Sequence, residues 1–387
     1  MLCDQRAGLD VKRYAHIVGW GKYAPKKVLT NDELSQVVDT SDEWIRTRTG
    51  ICERRIASEQ ETTASMSIAA AREALRVADA DPARIDLIIV GTITPEHLFP
   101  STACLVQDAL GARQAAAFDL SAGCSGFVYG LGIASHAIEA GAYKLALVIG
   151  AETLSRVIDW TDRRTCVLFG DGAGAVLLQA SEHPGGVLSS VLGADGSGGD
   201  LLILPGGGSR FPPTLESVTN GLHYLHMDGR RVYRFATKIM ARATHQALAK
   251  ASLSSQDLAL LIPHQANQRI IDSAARALKL EKDQVFVNLD RYGNTSSASI
   301  PIALCEAVEA GQVKQGDALV LVGFGAGLTW AAAAVRWSVP LPVIAPPRWR
   351  VVTRWARYRW TAIRRRILNA FWWLVERLLS LRPERKD

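Results

Sequence analysis

The sequence predicts an α/β fold built from two copies of one design, and three observations carry that prediction. Short apolar runs rich in β-branched residues alternate with Ala-rich stretches of helical period. Residues 118–141, FDLSAGCSGFVYGLGIASHAIEAG, and 287–311, VNLDRYGNTSSASIPIALCEAVEAG, each read as a strand end, a small-residue turn, a helix and a closing Glu-Ala-Gly. Each is followed by a further apolar strand, ALVIGAE or ALVLVGFGAG. Counting back fifteen residues from Glu139 reaches Cys124, and the same step from Glu309 reaches Asn294. A chemically active residue type thus occupies the same corner twice. A repeat spacing of about 170 residues marks a duplicated domain and not a solenoid; chance likeness of two strand–helix units is the plainer alternative.

In chain order the strand candidates are Leu87–Val90, Leu145–Ile149, Val176–Leu178, Leu258–Ile262 and Leu319–Val322, all short branched apolar runs. The helices between them are Thr63–Ala78, Ser125–Ala140, Tyr233–Ala251, Gln268–Leu278 and Ser299–Ala310. One half spans 1–183 and holds the corner cysteine; the other spans 184–337 and holds candidate His and Asn residues. SVPLPVIAPP at 338–347 carries four prolines and reads as a stiff linker. Residues 348–387 form a basic, Trp-rich tail.

At 387 residues, 48% hydrophobic and 21% charged, the chain can bury a sizeable core, which excludes disorder over most of its length. The net charge of +6 suggests an anionic partner until it is located. From Ser338 onward there are twelve Lys/Arg against three acids, so the first 337 residues are net negative by three. The same last fifty residues hold five of the ten Trp. The six cysteines form no CxxC pair and no metal-like cluster, so no metal site and no disulfide framework is expected. The N-terminus shows no apolar leader, and nowhere do eighteen apolar residues run together. A cytoplasmic protein without a spanning helix is the expectation.

Buried structural cysteine is the ordinary reading of a lone Cys, and Cys3, Cys52, Cys104, Cys166 and Cys305 receive it. Cys124 differs in its setting. Ala122, Gly123, Ser125 and Gly126 leave room for a sharp turn and for close approach of a substrate, and the following helix presents free N–H groups. A thiol there is expected to lose proton affinity. His264, in Ile262–Asn267, follows a strand at the carboxyl end where α/β sheets place ligands; a structural His is the plainer reading. Asn294, in YGNTS, could equally serve a turn or an N-cap. Together the three corners fit nucleophilic acyl transfer, with polar groups aimed at a thioester oxygen.

Eight separated motifs then resemble the β-ketoacyl-[acyl-carrier-protein] synthase III family of thiolase-fold condensing enzymes. They are TSDEWIRTRTGI (40–51), HLFPSTAC (97–104), DLSAGCSGF (119–127), DWTDRRT (159–165), FGDGAGA (169–175), PHQANQRII (263–271), YGNTSSASIP (292–301) and GFGAGLTW (323–330). The resemblance runs from about Tyr14 to Trp337. It implies a five-layer αβαβα fold, a homodimer, and a Cys124–His264–Asn294 triad. It further implies that Cys124 takes an acyl group from acyl-CoA, after which malonyl-acyl-carrier-protein loses carbon dioxide and its enolate attacks the acyl-enzyme. His264 and Asn294 would hydrogen-bond the malonyl thioester oxygen, and the amides of Cys124 and Ala326 would form the oxyanion hole. Trp44 and Arg163 match residues that clasp the CoA adenine, and Arg48 one near its phosphates. Gln265, Ala266, Asn267, Gln268 and Arg269 match the carrier-protein segment. Phe99 matches a residue that closes the acyl pocket from the partner subunit, a bulk that suits a short primer such as acetyl; Leu328 stands where Phe is commoner. The implied substrates are thioesters, with no cofactor and no metal. The Gly-rich GDGAGA and GADGSGGD fit neither a P-loop nor a dinucleotide fingerprint. Alternatives are a specialised ketosynthase or acyltransferase of the same fold, and a membrane-docking scaffold, against which the intact triad argues.

The tail lies outside that resemblance. Ile363, Ile367, Phe371, Leu374, Leu378 and Leu381 recur at helical steps, with Arg365, Arg366, Asn369, Glu376, Arg377 and Ser380 mostly opposite and Arg364 and Arg382 interrupting the apolar side. Trp349, Trp355, Trp360, Trp372 and Trp373 suit an oil–water boundary. An amphipathic helix in peripheral contact with an anionic membrane is expected, the alternative being a helix packed on the body. Nucleic acid is not expected, since no recognised motif accompanies the charge.

Overall fold

The apolar runs pair into two sheets of matching order in the computed structural model, which describes residues 12–339 and 348–380. The first sheet holds β1 (Tyr14–Tyr23), β2 (Leu87–Gly91), β3 (Ala116–Leu120), β4 (Leu145–Glu152) and β5 (Gly172–Ser181), in the order β1-β5-β4-β2-β3. The second holds β6 (Gly186–Ala194), β7 (Leu258–Pro263), β8 (Ala318–Gly325) and β9 (Thr329–Arg336), in the order β6-β9-β8-β7. In each, the central strand (β4 or β8) runs parallel to one neighbour and antiparallel to the other. The duplication read from two corners is therefore the symmetry of the sheets. A parallel bridge from Leu261 to Val285 extends the second sheet where β3 extends the first.

The helices that place the site are α1 (Asp42–Thr49), α2 (Thr63–Val77), α3 (Thr102–Leu110), α4 (Gly126–Glu139), α5 (Gly229–Lys250), α6 (Gln268–Leu278), α7 (Ser299–Glu309) and α8 (Arg348–Ser380). Helices α4 and α7 fill the space between the sheets, where Phe127, Leu131, Ile300 and Leu304 join Val148 and Leu321 in one core. Met66, Leu75 and Val106 of α2 and α3 cover Leu147 on the far face of the first sheet. Ala243, Leu248 and Ile271 of α5 and α6 cover Val320 on the far face of the second. Five layers result. Because both faces of the central strands are covered, β4 and β8 are apolar almost without interruption.

Of the boundaries that differ from expectation, three have plain local reasons. The expected strand Val176–Leu178 is the middle of the longer β5, whose Gly172–Ala175 lacks branched residues because α7 lies against it; a Cβ on Gly174 would stand 2.7 Å from Pro301 Cβ. Helix α4 begins at Gly126, since Gly123–Ser125 forms a separate 3₁₀ turn. Helix α5 starts four residues early, at Gly229, capped by the Asp228 carboxylate.

The tail is helical, and its two halves differ. Asp79, just past α2 with φ 48°, accepts hydrogen bonds from Arg350 and, at 2.6 Å, from Arg354 Nη2. Arg354 Nη1 also donates to Leu75 O at 3.0 Å. Tyr358 packs on the α2–α3 cluster with the Arg72 guanidinium 4.5 Å from its ring, and Thr361 is buried beside Gly111. Beyond Thr361, Ile363, Ile367, Phe371, Trp372, Trp373 and Leu374 are exposed. No helix among the described residues is long and apolar enough to cross a membrane. Cys3, residues 340–347 of the expected linker, Leu381 and Arg382 lie outside the described residues.

Candidate active site

Two loops cross at the cysteine corner. Gly123 has φ +54°, and a Cβ there would stand 2.5 Å from Ala326 N; one on Gly325 would come closer still to Cys124 N. Only glycine allows backbone to lie on backbone this way, and the crossing brings the amides of Cys124 and Ala326 together. Asn294 sits at the matching corner of the second half. Its main chain bonds Leu168 O and Gly170 N, and its Oδ1 accepts the Ser296 N–H at 2.8 Å. With Oδ1 occupied, Nδ2 is the free end of the amide. His264 follows β7, its Nδ1 2.6 Å from Ser299 Oγ at the start of α7 and its ring edge-on to Phe324 at 5.3 Å. The corners converge through this serine-rich turn, because the Ser296 hydroxyl favours the Cys124 thiolate while Ser299 meets His264.

All three side chains are buried, and burial sets their protonation. It pushes the Cys124 thiol up to about 12, opposed by the Ser296 hydroxyl. This reverses the direction expected from the helix end: desolvation of a sealed thiol outweighs it. Burial lowers His264 to about 3, so its imidazole is neutral at pH 7.

Three site residues escaped the sequence reading: Glu152, Ser296 and Ser299. One signal for Glu152 was available. It is an acid inside the apolar strand ALVIGAE, where the duplicate strand has none. It is fully buried and held by Thr92, Ile93, Thr94, Ser296 and Ser297.

Of the expected binding residues, Trp44 in α1 is flanked by Arg48 and Arg163, whose guanidinium carbons lie 4.7 and 5.2 Å from its ring. The carrier-protein segment needs correction. Gln265 is buried, donating to Pro263 O and Phe286 O and accepting from Asn288 N, and Ala266 is buried beside it. Asn267, Gln268 and Arg269 alone reach the surface, where Arg269 joins Arg230, Tyr233 and Arg234 around an open depression. Leu328 is buried against Gly198. Phe99 is 85% exposed. Among the described residues no group of His, Cys, Asp and Glu is placed to hold a metal ion.

Family profiles for the 3-oxoacyl-[acyl-carrier-protein] synthase III domain and its C-terminal domain match residues 118–196 and 248–337. A β-ketoacyl-[acyl-carrier-protein] synthase III of Caldanaerobacter subterraneus is 54% identical over 324 residues, covering 84% of this chain and 98% of the relative. The chain belongs to the β-ketoacyl-[acyl-carrier-protein] synthase III family. It is a condensing enzyme of the acyltransferase type, and the family joins an acyl-CoA to malonyl-acyl-carrier-protein at the start of fatty-acid synthesis. A solved family member from Aquifex aeolicus has 49% identity and a TM-score of 0.78, covering 84% of this chain and all of that one. The priming β-ketosynthase of the R1128 polyketide pathway has 40% identity and a TM-score of 0.79, covering 85% and 98%.

Proposed function

We propose that the chain primes fatty-acid synthesis through an acyl-Cys124 intermediate, with acetyl-CoA as primer, malonyl-acyl-carrier-protein as second substrate and no cofactor. The observation that carries this reading is the convergence of Cys124, His264 and Asn294 on one serine-rich turn. The Cys124 thiol attacks the acyl-CoA carbonyl, the amides of Cys124 and Ala326 receive the oxyanion, and the thiol proton leaves with CoA as its free thiol. The malonyl thioester then loses carbon dioxide. With Ser299 donating to Nδ1, neutral His264 carries its proton on Nε2 and, together with Asn294 Nδ2, holds the developing enolate oxygen. Donors fixed before the charge appears need not reorganise. The enolate attacks the acyl-enzyme, and the Cys124 thiolate is released.

Trp44, Arg48 and Arg163 hold CoA, the planar groups meeting adenine and the cations its phosphates. Asn267, Gln268 and Arg269 meet the acidic carrier protein. The chain works as a homodimer of two-half protomers, 1–183 and 184–337. Supporting this, β3 is a sheet edge with Phe118 partly exposed, and exposed Phe99 needs a partner to reach an acyl pocket lined by Leu328. The priming ketosynthase similarity favours a second reading, a specialist for another primer. Mass spectrometry of Cys124 after exposure to a panel of acyl-CoAs, with malonyl-carrier protein supplied, separates the two. Preferential acetyl labelling supports the first; exclusive labelling by longer or branched acyl groups replaces it with the second.

The tail places this cytoplasmic enzyme on the inner face of the membrane. Supporting it are the exposed Phe371, Trp372 and Trp373, aromatic groups suited to the headgroup region, in a segment whose charge is strongly basic. In sedimentation with anionic vesicles, full-length protein should pellet, and W372S/W373S should lose most of that binding. Equal pelleting of both, or of neither, sinks the membrane reading.

A further inference from the structure

Glu152, at the end of β4, takes no part in the chemistry above, yet it touches the serine-rich turn that follows Asn294. Its Oε2 is surrounded by donors: Thr94 Oγ1 at 2.6 Å, and Thr94 N, Ile93 N and Thr92 Oγ1 each at 3.2 Å. Its Oε1 faces the Ile93 N–H at 3.3 Å and two serine hydroxyls, Ser296 Oγ at 3.0 Å and Ser297 Oγ at 3.1 Å. A hydroxyl has one proton to give. Ser297 also lies 2.6 Å from Gly91 O, a carbonyl that can only accept, so its proton is committed there. Toward Oε1, Ser297 therefore presents a lone pair. An ionised Oε1 would repel it; a protonated Oε1 removes the conflict by donating to Ser297.

A second buried acid shows what ionisation requires. Glu306 in α7 meets Lys22 at 3.2 Å, Arg291 at 2.7 Å, Tyr292 Oη at 2.5 Å and Asn288 Nδ2 at 3.0 Å. Burial opposes its charge, but Tyr292, Asn288, Lys22 and Arg291 together hold it below the usual carboxylate range. Every hydrogen-bond partner of Glu152 is neutral.

We propose that Glu152 is a positioning residue held as a neutral carboxylic acid, whose Oε1–H donates to Ser297 and whose uncharged oxygen competes only weakly for the Ser296 hydroxyl proton, leaving that proton for the Cys124 sulfur. Ser296 has a left-handed backbone, φ 49°, a strained conformation that the surroundings must hold. Its N–H simultaneously fixes Asn294 Oδ1. The one acid thus sets both the thiolate donor and the direction of the Asn294 amide. A charged Glu152 would instead claim the Ser296 proton and oppose the thiolate. Burial accordingly raises Glu152 above the ordinary carboxylate range.

The test uses full-length protein, E152Q and E152A, with three readouts. These are the infrared C=O band of a protonated carboxyl at pH 7, the rate of Cys124 alkylation by iodoacetamide, and condensation activity. The wild type should show the protonated-acid band, and E152Q should lose it. E152A should lower alkylation and condensation about tenfold or more, and E152Q, which mimics the neutral acid and keeps a donor, should restore most of both. A wild-type spectrum lacking that band overturns the proposal. So does E152Q as impaired as E152A, or E152Q alkylating about tenfold faster than wild type, as removal of a negative charge from beside a thiol demands. If E152A fails to fold, the band and the E152Q rates decide alone.

Discussion

The catalytic body and the appended helix use arginine and aromatic residues in opposite ways. In the body, Arg54 is fully buried, donates to Leu29 O, Asn31 Oδ1 and Val167 O, and is lowered by burial to about 10. It fastens Leu29 and Asn31 to the segment leading into β5. In α8, Arg350 and Arg354 serve one anchor, Asp79, while Arg377 lies over exposed Trp373 at 5.1 Å. The body turns its polar groups inward to organise a site; the distal half of the helix turns its rings outward. Chemistry and placement should therefore separate under mutation, and each prediction below tests that separation.

The largest effect belongs to the nucleophile. C124S should lower acyl transfer from acetyl-CoA by at least about a thousandfold, with no acyl adduct in the mass spectrum and unchanged vesicle pelleting. An adduct on another residue would remove Cys124 from its role. Next comes H264A, expected to slow malonyl decarboxylation about 10²–10³-fold, as loss of one preorganised donor does, while sparing Cys124 acylation. Because the His264 imidazole stays neutral down to about 3, wild-type decarboxylation should show no inflection from this group between pH 5 and 8. The same shift fixes a sign for stability. The unfolded chain binds a proton at this position below its ordinary value of 6.5, and the folded chain does not until about 3. The stability contribution is thus fully present above 6.5 and is lost as pH falls toward 3, at up to about 1.4 kcal/mol per pH unit. H264Q should flatten that part of a denaturation-against-pH curve; an unchanged slope assigns it to other groups.

How far the sequence could be read follows the same division between local and distant causes. Cys124, His264 and Asn294 were legible because each sits where an apolar strand gives way to small residues and a helix. Glu152 was not, since its partners come from Thr92–Thr94 and from Ser296–Ser297, segments far apart in the chain. Gln265 is expected to meet the carrier protein from the resemblance alone, yet Phe286 and Asn288 supply an interior for it. Helical period announced α8 but not its division, because the residues that hold its first half, Arg72, Leu75, Asp79 and Gly111, belong to α2, α3 and their ends. A period shows that a face is apolar. It does not show which turns of that face find a neighbour.

The smallest predicted effect probes that division directly. Asp79 binds two arginines, and of the three side chains Arg354 is the most buried, at 10% exposure against 23% for Asp79 and 50% for Arg350. D79A leaves Arg354 its bond to Leu75 O and leaves Tyr358 and Thr361 packed, so the helix should loosen and not detach. Partly exposed ion pairs are worth about 1 kcal/mol, which sets the scale: hydrogen exchange over 348–361 should speed up about fivefold. Condensation and vesicle binding should both stay within about twofold of wild type, since Asp79 touches neither the triad nor the distal rings. A loss of condensation in D79A would show that the anchor reaches the site through α2, and the separation of chemistry from placement would fail. Unchanged exchange would shift the anchor from Asp79 to Tyr358 and Thr361, where apolar contact, not charge, would fix the helix.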